Sequence, residues 1–259
     1  MFGLLIGSFL NVCVYRLPQD LSVVRPRSYC PACQHPIAWY DNIPLVSFVL
    51  LGGRCRHCKG SISFRYPVVE LMTGALFALF LWRLGPGLPA FKYCLISALL
   101  VGLSFADLEA RILPDEFTLG GAAAGLVMAW FVPVKDDIAQ AALWLAGARW
   151  SPHWVSVAEA VIGAVIPGLF LWCGGWLYFK LRHREGLGLG DVKLVAMVGA
   201  FLGLHGALLT LIGGSLAGSL IGYGYIRSTH KDPATYELPF GTFLGLAAVA
   251  VSFASSTLH

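Results

Sequence analysis

The chain has 259 residues, 57% of them hydrophobic and only 12% charged, with a net charge of +4. Soluble domains carry about a quarter charged residues, so this composition, with a mean hydropathy of +0.72, excludes a soluble globular protein and points to one that spans a membrane. The small positive balance needs no nucleic-acid partner, because most basic residues fall on one side of the apolar segments.

Apolar runs long enough to span, some of them short, lie at 1–15, 67–84, 91–106, 117–132, 155–179, 192–204, 207–226 and 239–253. They predict an all-α membrane protein: a polytopic helical bundle of about eight transmembrane helices, with a small zinc-binding cytoplasmic domain between helices one and two. The chain divides into a first helix (1–15), a four-cysteine segment (16–66) and a membrane core (67–259). The first run has no basic residue before it and Arg16 after it, unlike the basic n-region of a signal peptide, and reads as a retained helix. Of the 18 basic residues, only Arg83, Lys92, Lys135 and Arg149 follow even-numbered spans; the other fourteen, from Arg16 to Lys231, flank the opposite side. By the positive-inside rule that side is cytoplasmic.

Residues 16–66 form the one sizeable polar segment and contain Cys30-Pro31-Ala32-Cys33 and Cys55-Arg56-His57-Cys58. Two Cys-x-x-Cys pairs about twenty residues apart match a tetrahedral four-thiolate zinc site, each pair giving half the shell. A redox pair is the rival reading, and a disulfide fits a cytoplasmic segment poorly. A closed shell leaves no position for water, so the zinc is structural. His35 and His57 could replace a thiolate or be surface histidines. Cys13, Cys94 and Cys173 lie singly in apolar spans and read as packing residues. A short interfacial helix fits 43–51. Glu70, at the mouth of span two, reads as pairing with a nearby arginine or binding a cation.

Two acids stand at the ends of apolar stretches. Asp107 lies in Ser104-Phe105-Ala106-Asp107-Leu108-Glu109-Ala110-Arg111, and Asp191 closes Gly186-Leu187-Gly188-Leu189-Gly190-Asp191. Acids there are costly and are functional by default. Asp107 could instead pair with Arg111 one turn on, and Asp191 could simply cap span six. Their common side of the membrane favours a dyad. The alternating glycines, with Gly188 and Gly190 nearest, would let a peptide backbone approach. A dyad of this kind hydrolyses peptides: one acid activates water while the other donates a proton. Asp115, after Pro114, is a rival partner or an early-turn acid. Lys193 reads as facing away, toward lipid headgroups. The G-x-G-x-G run follows a helix, which argues against nucleotide binding.

Taken in order, Gly7-Ser8-Phe9-Leu10-Asn11-Val12, Tyr15-Arg16-Leu17-Pro18, the four-cysteine segment with Asp41-Asn42-Ile43-Pro44, Arg65-Tyr66-Pro67, 107–118, Gly188-Leu189-Gly190-Asp191-Val192-Lys193 and Pro239-Phe240-Gly241 resemble the prepilin peptidases, membrane aspartic peptidases of type IV pilus and type II secretion systems. The resemblance covers nearly the whole chain. It implies catalytic aspartates at Asp107 and Asp191, the latter in a G-x-G-D pattern, and a location in the bacterial inner membrane. It implies a type IV prepilin or pseudopilin substrate, cut at the cytoplasmic face after the glycine that ends its leader. It also implies methylation of the new N-terminus with S-adenosylmethionine, which no spacing argument yields. Two features depart from the family pattern: a short lead before Gly3, and Thr242 where proline is frequent.

The alternatives are a proton-coupled transporter with a regulatory zinc knuckle, whose acids should lie near the bilayer midplane, and a non-enzymatic assembly scaffold. Small residues at Gly214, Gly218 and Gly222 suit close helix packing in any of these.

Overall fold

The computed structural model describes residues 1–184, 186–229 and 238–256; Lys231, counted among the cytoplasmic basic residues, lies outside them. The helices are α1 (Phe2–Arg16), α2 (Val46–Leu50), α3 (Arg65–Leu84), α4 (Leu88–Ala110), α5 (Asp115–Phe131), α6 (Ile138–Leu145), α7 (Pro152–Arg182), α8 (Leu189–Thr229) and α9 (Phe240–Ser255). Among the described residues there is no strand, only two isolated bridges. Four helices, α3, α4, α7 and α8, are long and apolar enough to cross a membrane, and α9 is a shorter apolar helix.

Local chemistry sets the helix limits. Proline opens α4 and α7 in the first turn, where its missing N–H costs nothing. Arg111 ends α4 in a left-handed conformation, its N–H donating to the Asp107 carbonyl at 3.0 Å. Buried Tyr93, Ile96, Leu100 and Leu103 of α4 pack against Leu194, Met197, Val198 and Phe201 of α8 and Leu244 and Ala248 of α9. The element that carries Asp107 is thus the centre of the bundle. By contrast, Val165, Ile166, Leu169 and Phe170 of α7 are exposed, an outward apolar face of the kind that lipid tails cover.

Glycines allow very close helix contact. A Cβ on Gly199 of α8 would lie 1.9 Å from the Gly163 carbonyl oxygen of α7. Gly214, Gly218 and Gly222 face Leu244, Phe243 and Leu238 respectively, so the small-residue stripe serves packing against α9 and the segment before it.

Several expectations are corrected. The runs at 192–204 and 207–226 form the two helical halves of α8, separated at Gly203, whose φ of 78° and ψ of −173° are non-helical. The break is set by Asp136, whose carboxylate accepts the Leu204 N–H, the His205 N–H at 3.3 Å and a 2.9 Å bond with His205 Nδ1. Asp136 therefore caps the second half of α8 from a distant loop. The short helix α6 was not foreseen. Among the described residues Glu70 forms no ion pair with an arginine: its Oε2 accepts the Leu45 N–H at 2.8 Å, tying the cysteine segment to α3. The nearby Arg65 instead meets Glu109. Cys13 and Cys94 are buried as packing residues, but Cys173 is exposed.

Candidate active site

Asp107 sits on the last turn of α4, 6% exposed, and Asp191 on the first turn of α8. The chain leaves α4 at Arg111, turns through Leu113 and Pro114, and starts α5 with Asp115 and Glu116 in its first turn. That reversal makes a wall. Asp107, Arg111, Leu113, Asp115, Gly188, Gly190, Asp191 and Lys193 line one cavity of about 270 Å³. The two acids act on one another electrostatically across it.

The glycines beside Asp191 shape this cavity. A Cβ on Gly188 would touch Asp191 Oδ2 at 3.5 Å, and one on Gly190 would press on Leu113 at 3.1 Å. Both open on the cavity, as a backbone-approach surface requires.

Geometry bears on each rival reading. Arg111 follows the last residue of α4, one turn on from Asp107, and its charge acts on that acid. Asp191 lies inside the first turn of α8, past the cap position, with its N–H donating to the Gly188 carbonyl at 3.1 Å. Asp115 is an early-turn acid and is engaged by Lys193, whose Nζ donates to both its oxygens at 2.6 and 2.8 Å. Lys193 thus lines the cavity rim instead of facing away, because the α4–α5 reversal brings an acid within its reach.

One partner of Asp107 was not legible from motifs. Asp107 Oδ2 accepts the Thr242 N–H at 2.7 Å and the Thr242 hydroxyl at 2.9 Å. Thr242 lies on the first turn of α9, behind Gly241, whose Cβ would sit 3.2 Å from the Asp107 carboxyl. The signal was Pro239-Phe240-Gly241 itself, a helix start with a glycine for close approach.

The cysteine segment is built twice on one plan. Cys30 N–H bonds the His35 carbonyl and Gln34 N–H the Cys30 carbonyl; Cys55 N–H bonds the Gly60 carbonyl and Lys59 N–H the Cys55 carbonyl. Gln34 and Lys59 both take positive φ, and bridges Tyr29–Pro36 and Arg54–Ser61 close each loop. The ligand atoms of Cys30, Cys33, Cys55 and Cys58 lie within 4.8 Å of one another, with Cys30 Sγ and Cys58 Sγ 3.9 Å apart. Zn–S bonds of about 2.3 Å in a tetrahedron place sulfurs about 3.8 Å apart, so the donor set fits zinc. Backbone N–H groups of Cys58 and then His57 hold the Cys55 thiol down at about 7. At Cys33 the His35 N–H favours the thiolate, but desolvation and the neighbouring sulfurs outweigh it and push the thiol up to about 11. Four crowded sulfurs need a cation to ionise together. His35 and His57 pack on one another at a tilt of 37°, ring centroids 3.5 Å apart, and are not members of the four-sulfur group. Arg56 clamps Asp41 through two bonds of 2.8 and 2.7 Å, holding that carboxyl below its usual range.

Fold and site define a helical membrane protein that brings two acids from separate helices to one glycine-lined cavity, beside a four-cysteine knuckle. Residues 1–84 match the Bacterial Peptidase A24 N-terminal domain and residues 94–223 match the Type IV leader peptidase family. The chain belongs to the type IV leader peptidase family. It is similar to the prepilin leader peptidase/N-methyltransferase of Aeromonas salmonicida (strain A449), 36% identical over 95% of this chain and 86% of that protein. The protein of the same name from Aeromonas hydrophila is 37% identical over the same shares, and that of Myxococcus xanthus (strain DK1622) is 40% identical over 89% of this chain and 63% of its own. No solved structure matches the chain. The four apolar helices and these relatives fit a bacterial inner-membrane protein and give the transporter reading no support.

Proposed function

We propose that this protein is a membrane aspartic endopeptidase that removes the leader of type IV prepilins or pseudopilins after glycine at the cytoplasmic face, and that it also methylates the new N-terminus. The observation that carries the peptidase reading is the shared cavity of Asp107 and Asp191, with Gly188 and Gly190 in its wall. A dyad shares one proton, since two carboxylates at close quarters do not ionise together easily. The ionised acid takes a proton from water as its oxygen attacks the scissile carbonyl carbon, and the other acid protonates the carbonyl oxygen. Collapse of the tetrahedral species breaks the C–N bond: the proton held by the base passes to the leaving nitrogen, and one hydroxyl returns its proton to the other acid as the carbonyl re-forms. No covalent enzyme intermediate is formed. Gly188 and Gly190 present the wall against which the extended substrate backbone lies.

In this reading eight spans cross the inner membrane among its lipids, α8 supplying two of them on either side of Gly203, with knuckle and dyad cytoplasmic by the distribution of basic residues. The segments 1–15, 16–66 and 67–259 act as first helix, zinc-stapled cytoplasmic unit and peptidase core. Zinc held by Cys30, Cys33, Cys55 and Cys58 would fix the knuckle's fold and take no part in hydrolysis. S-adenosylmethionine supplies an electrophilic methyl when bound. Among the described residues, none that lines the dyad cavity is aromatic.

Cleavage of a prepilin by the purified protein, with Asp107→Ala and Asp191→Ala alongside, tests the proposal. Both variants should lose activity while remaining folded; full activity in either removes the dyad.

A further inference from the structure

We propose that Thr242 is the positioning residue for Asp107: it holds Oδ2 with two donors, so that Oδ1 is the oxygen left to meet water and Asp191. This rests on the dyad reading above. The Thr242 N–H belongs to the first turn of α9, where backbone donors have no helical partner and the helix dipole favours a negative charge. Here that donor ends on Asp107 Oδ2 at 2.7 Å, so the carboxylate of α4 caps α9 across the interface. The Thr242 hydroxyl reaches the same oxygen at 2.9 Å and lies 3.0 Å from the Ser104 carbonyl, one turn before Asp107. A hydroxyl has one proton, and an ionised carboxylate is the stronger acceptor. Its one proton is therefore shared between Oδ2, the stronger acceptor, and the Ser104 carbonyl, which helps to hold the hydroxyl in place.

The surrounding packing is built for this contact. A Cβ on Gly241 would lie 3.2 Å from Asp107 Cγ and Oδ2, and one on Gly245 would lie 2.1 Å from Ser104 Oγ. Two glycines four residues apart thus let the start of α9 press onto α4, with Thr242 between them. With Oδ2 held from two directions, the carboxyl plane cannot turn about its Cβ–Cγ bond without losing a charge-assisted hydrogen bond. Catalysis by a dyad depends on that orientation, because a misdirected oxygen costs rate rather than binding. A proline at this position would offer neither the N–H nor the hydroxyl, so this chain supports its aspartate through a side chain that the frequent family residue lacks.

Prepilin cleavage by the purified full chain is compared for wild type, Thr242→Val, Thr242→Ser and Asp107→Ala, with thermal unfolding of each. Thr242→Val, of nearly the same shape, should lower kcat by about tenfold or more, the usual weight of a hydrogen bond to a charged group, with KM unchanged. Thr242→Ser should restore kcat to within about threefold of wild type. Thr242→Ala, which also removes the hydroxyl and keeps the backbone N–H, should lower kcat in the same way, and serves if Thr242→Val does not fold. Wild-type kcat in Thr242→Val, a loss confined to KM, or a serine variant as poor as valine overturns the assignment. Activity in Asp107→Ala would instead overturn the dyad itself, so the two failures are distinct.

Discussion

Lys193 and Asp115 are joined by two hydrogen bonds of 2.6 and 2.8 Å across the mouth of the dyad cavity, one residue from α8 and one from α5. The third acid of the cavity is therefore neutralised by its own cation, at an exposed position. Exposed ion pairs contribute little to stability, about 0–1 kcal/mol.

From this follows the first prediction. Asp115→Asn should cleave prepilin within about threefold of the wild-type rate, because the exposed pair it breaks is worth so little. Steady-state cleavage rates against the same substrate decide it. A loss as deep as that of Asp191→Ala would make Asp115 a dyad member in place of Asp107.

Metal dependence gives the second. Thiolate ligands must shed their protons to bind zinc, so bound metal should fall as the pH is lowered and recover as it is raised. Cys30→Ser should lower zinc stoichiometry at neutral pH, read by elemental analysis, and should lower protection of the cysteine segment from proteolysis. Zinc content unchanged by the serine substitution would remove the four-thiolate site.

Helix packing gives the third. Gly199 of α8 lies so close to Gly163 of α7 that an added methyl group would meet backbone atoms, which cannot rotate away. Gly199→Ala should destabilise the detergent-solubilised protein by about 1–3 kcal/mol or more, seen as a lower thermal midpoint. Gly120→Ala is the control, since nothing lies within 4 Å of its added Cβ. Equal midpoints for both variants would show that α7 and α8 are not in this contact.

Much of this arrangement was legible in the sequence. Helices lie at every predicted apolar run because hydropathy and helix length are linked in a membrane protein. The cysteine spacing located the four sulfurs, as a local pattern can. Less legible were features that depend on residues distant in sequence. Asp136 belongs to no motif, and its capping role depends on the two N–H groups that α8 presents to it at Gly203. Lys193 reads as a lipid-facing lysine until the reversal after Arg111 brings Asp115 alongside. Thr242 reads as a family departure until α9 docks on α4. Each is a hydrogen bond between positions at least 68 residues apart, which helical periodicity does not encode.

The fourth prediction separates the two proposed activities. Among the described residues, the dyad cavity is lined by acids, cations, aliphatic side chains and glycine. Methyl transfer also needs no hydrolytic water: a free amine attacks the donor's methyl carbon, the C–S bond breaks and the amine loses a proton. Asp107→Ala and Asp191→Ala should therefore still methylate a pilin supplied with its leader already removed, at a rate within about threefold of wild type, if the two reactions use separate groups. Transfer of labelled methyl to the N-terminus, followed by mass spectrometry, reads this directly. Loss of methylation on the pre-cleaved pilin, in variants whose thermal unfolding matches wild type, would place the donor at the dyad and make the acids common to both reactions.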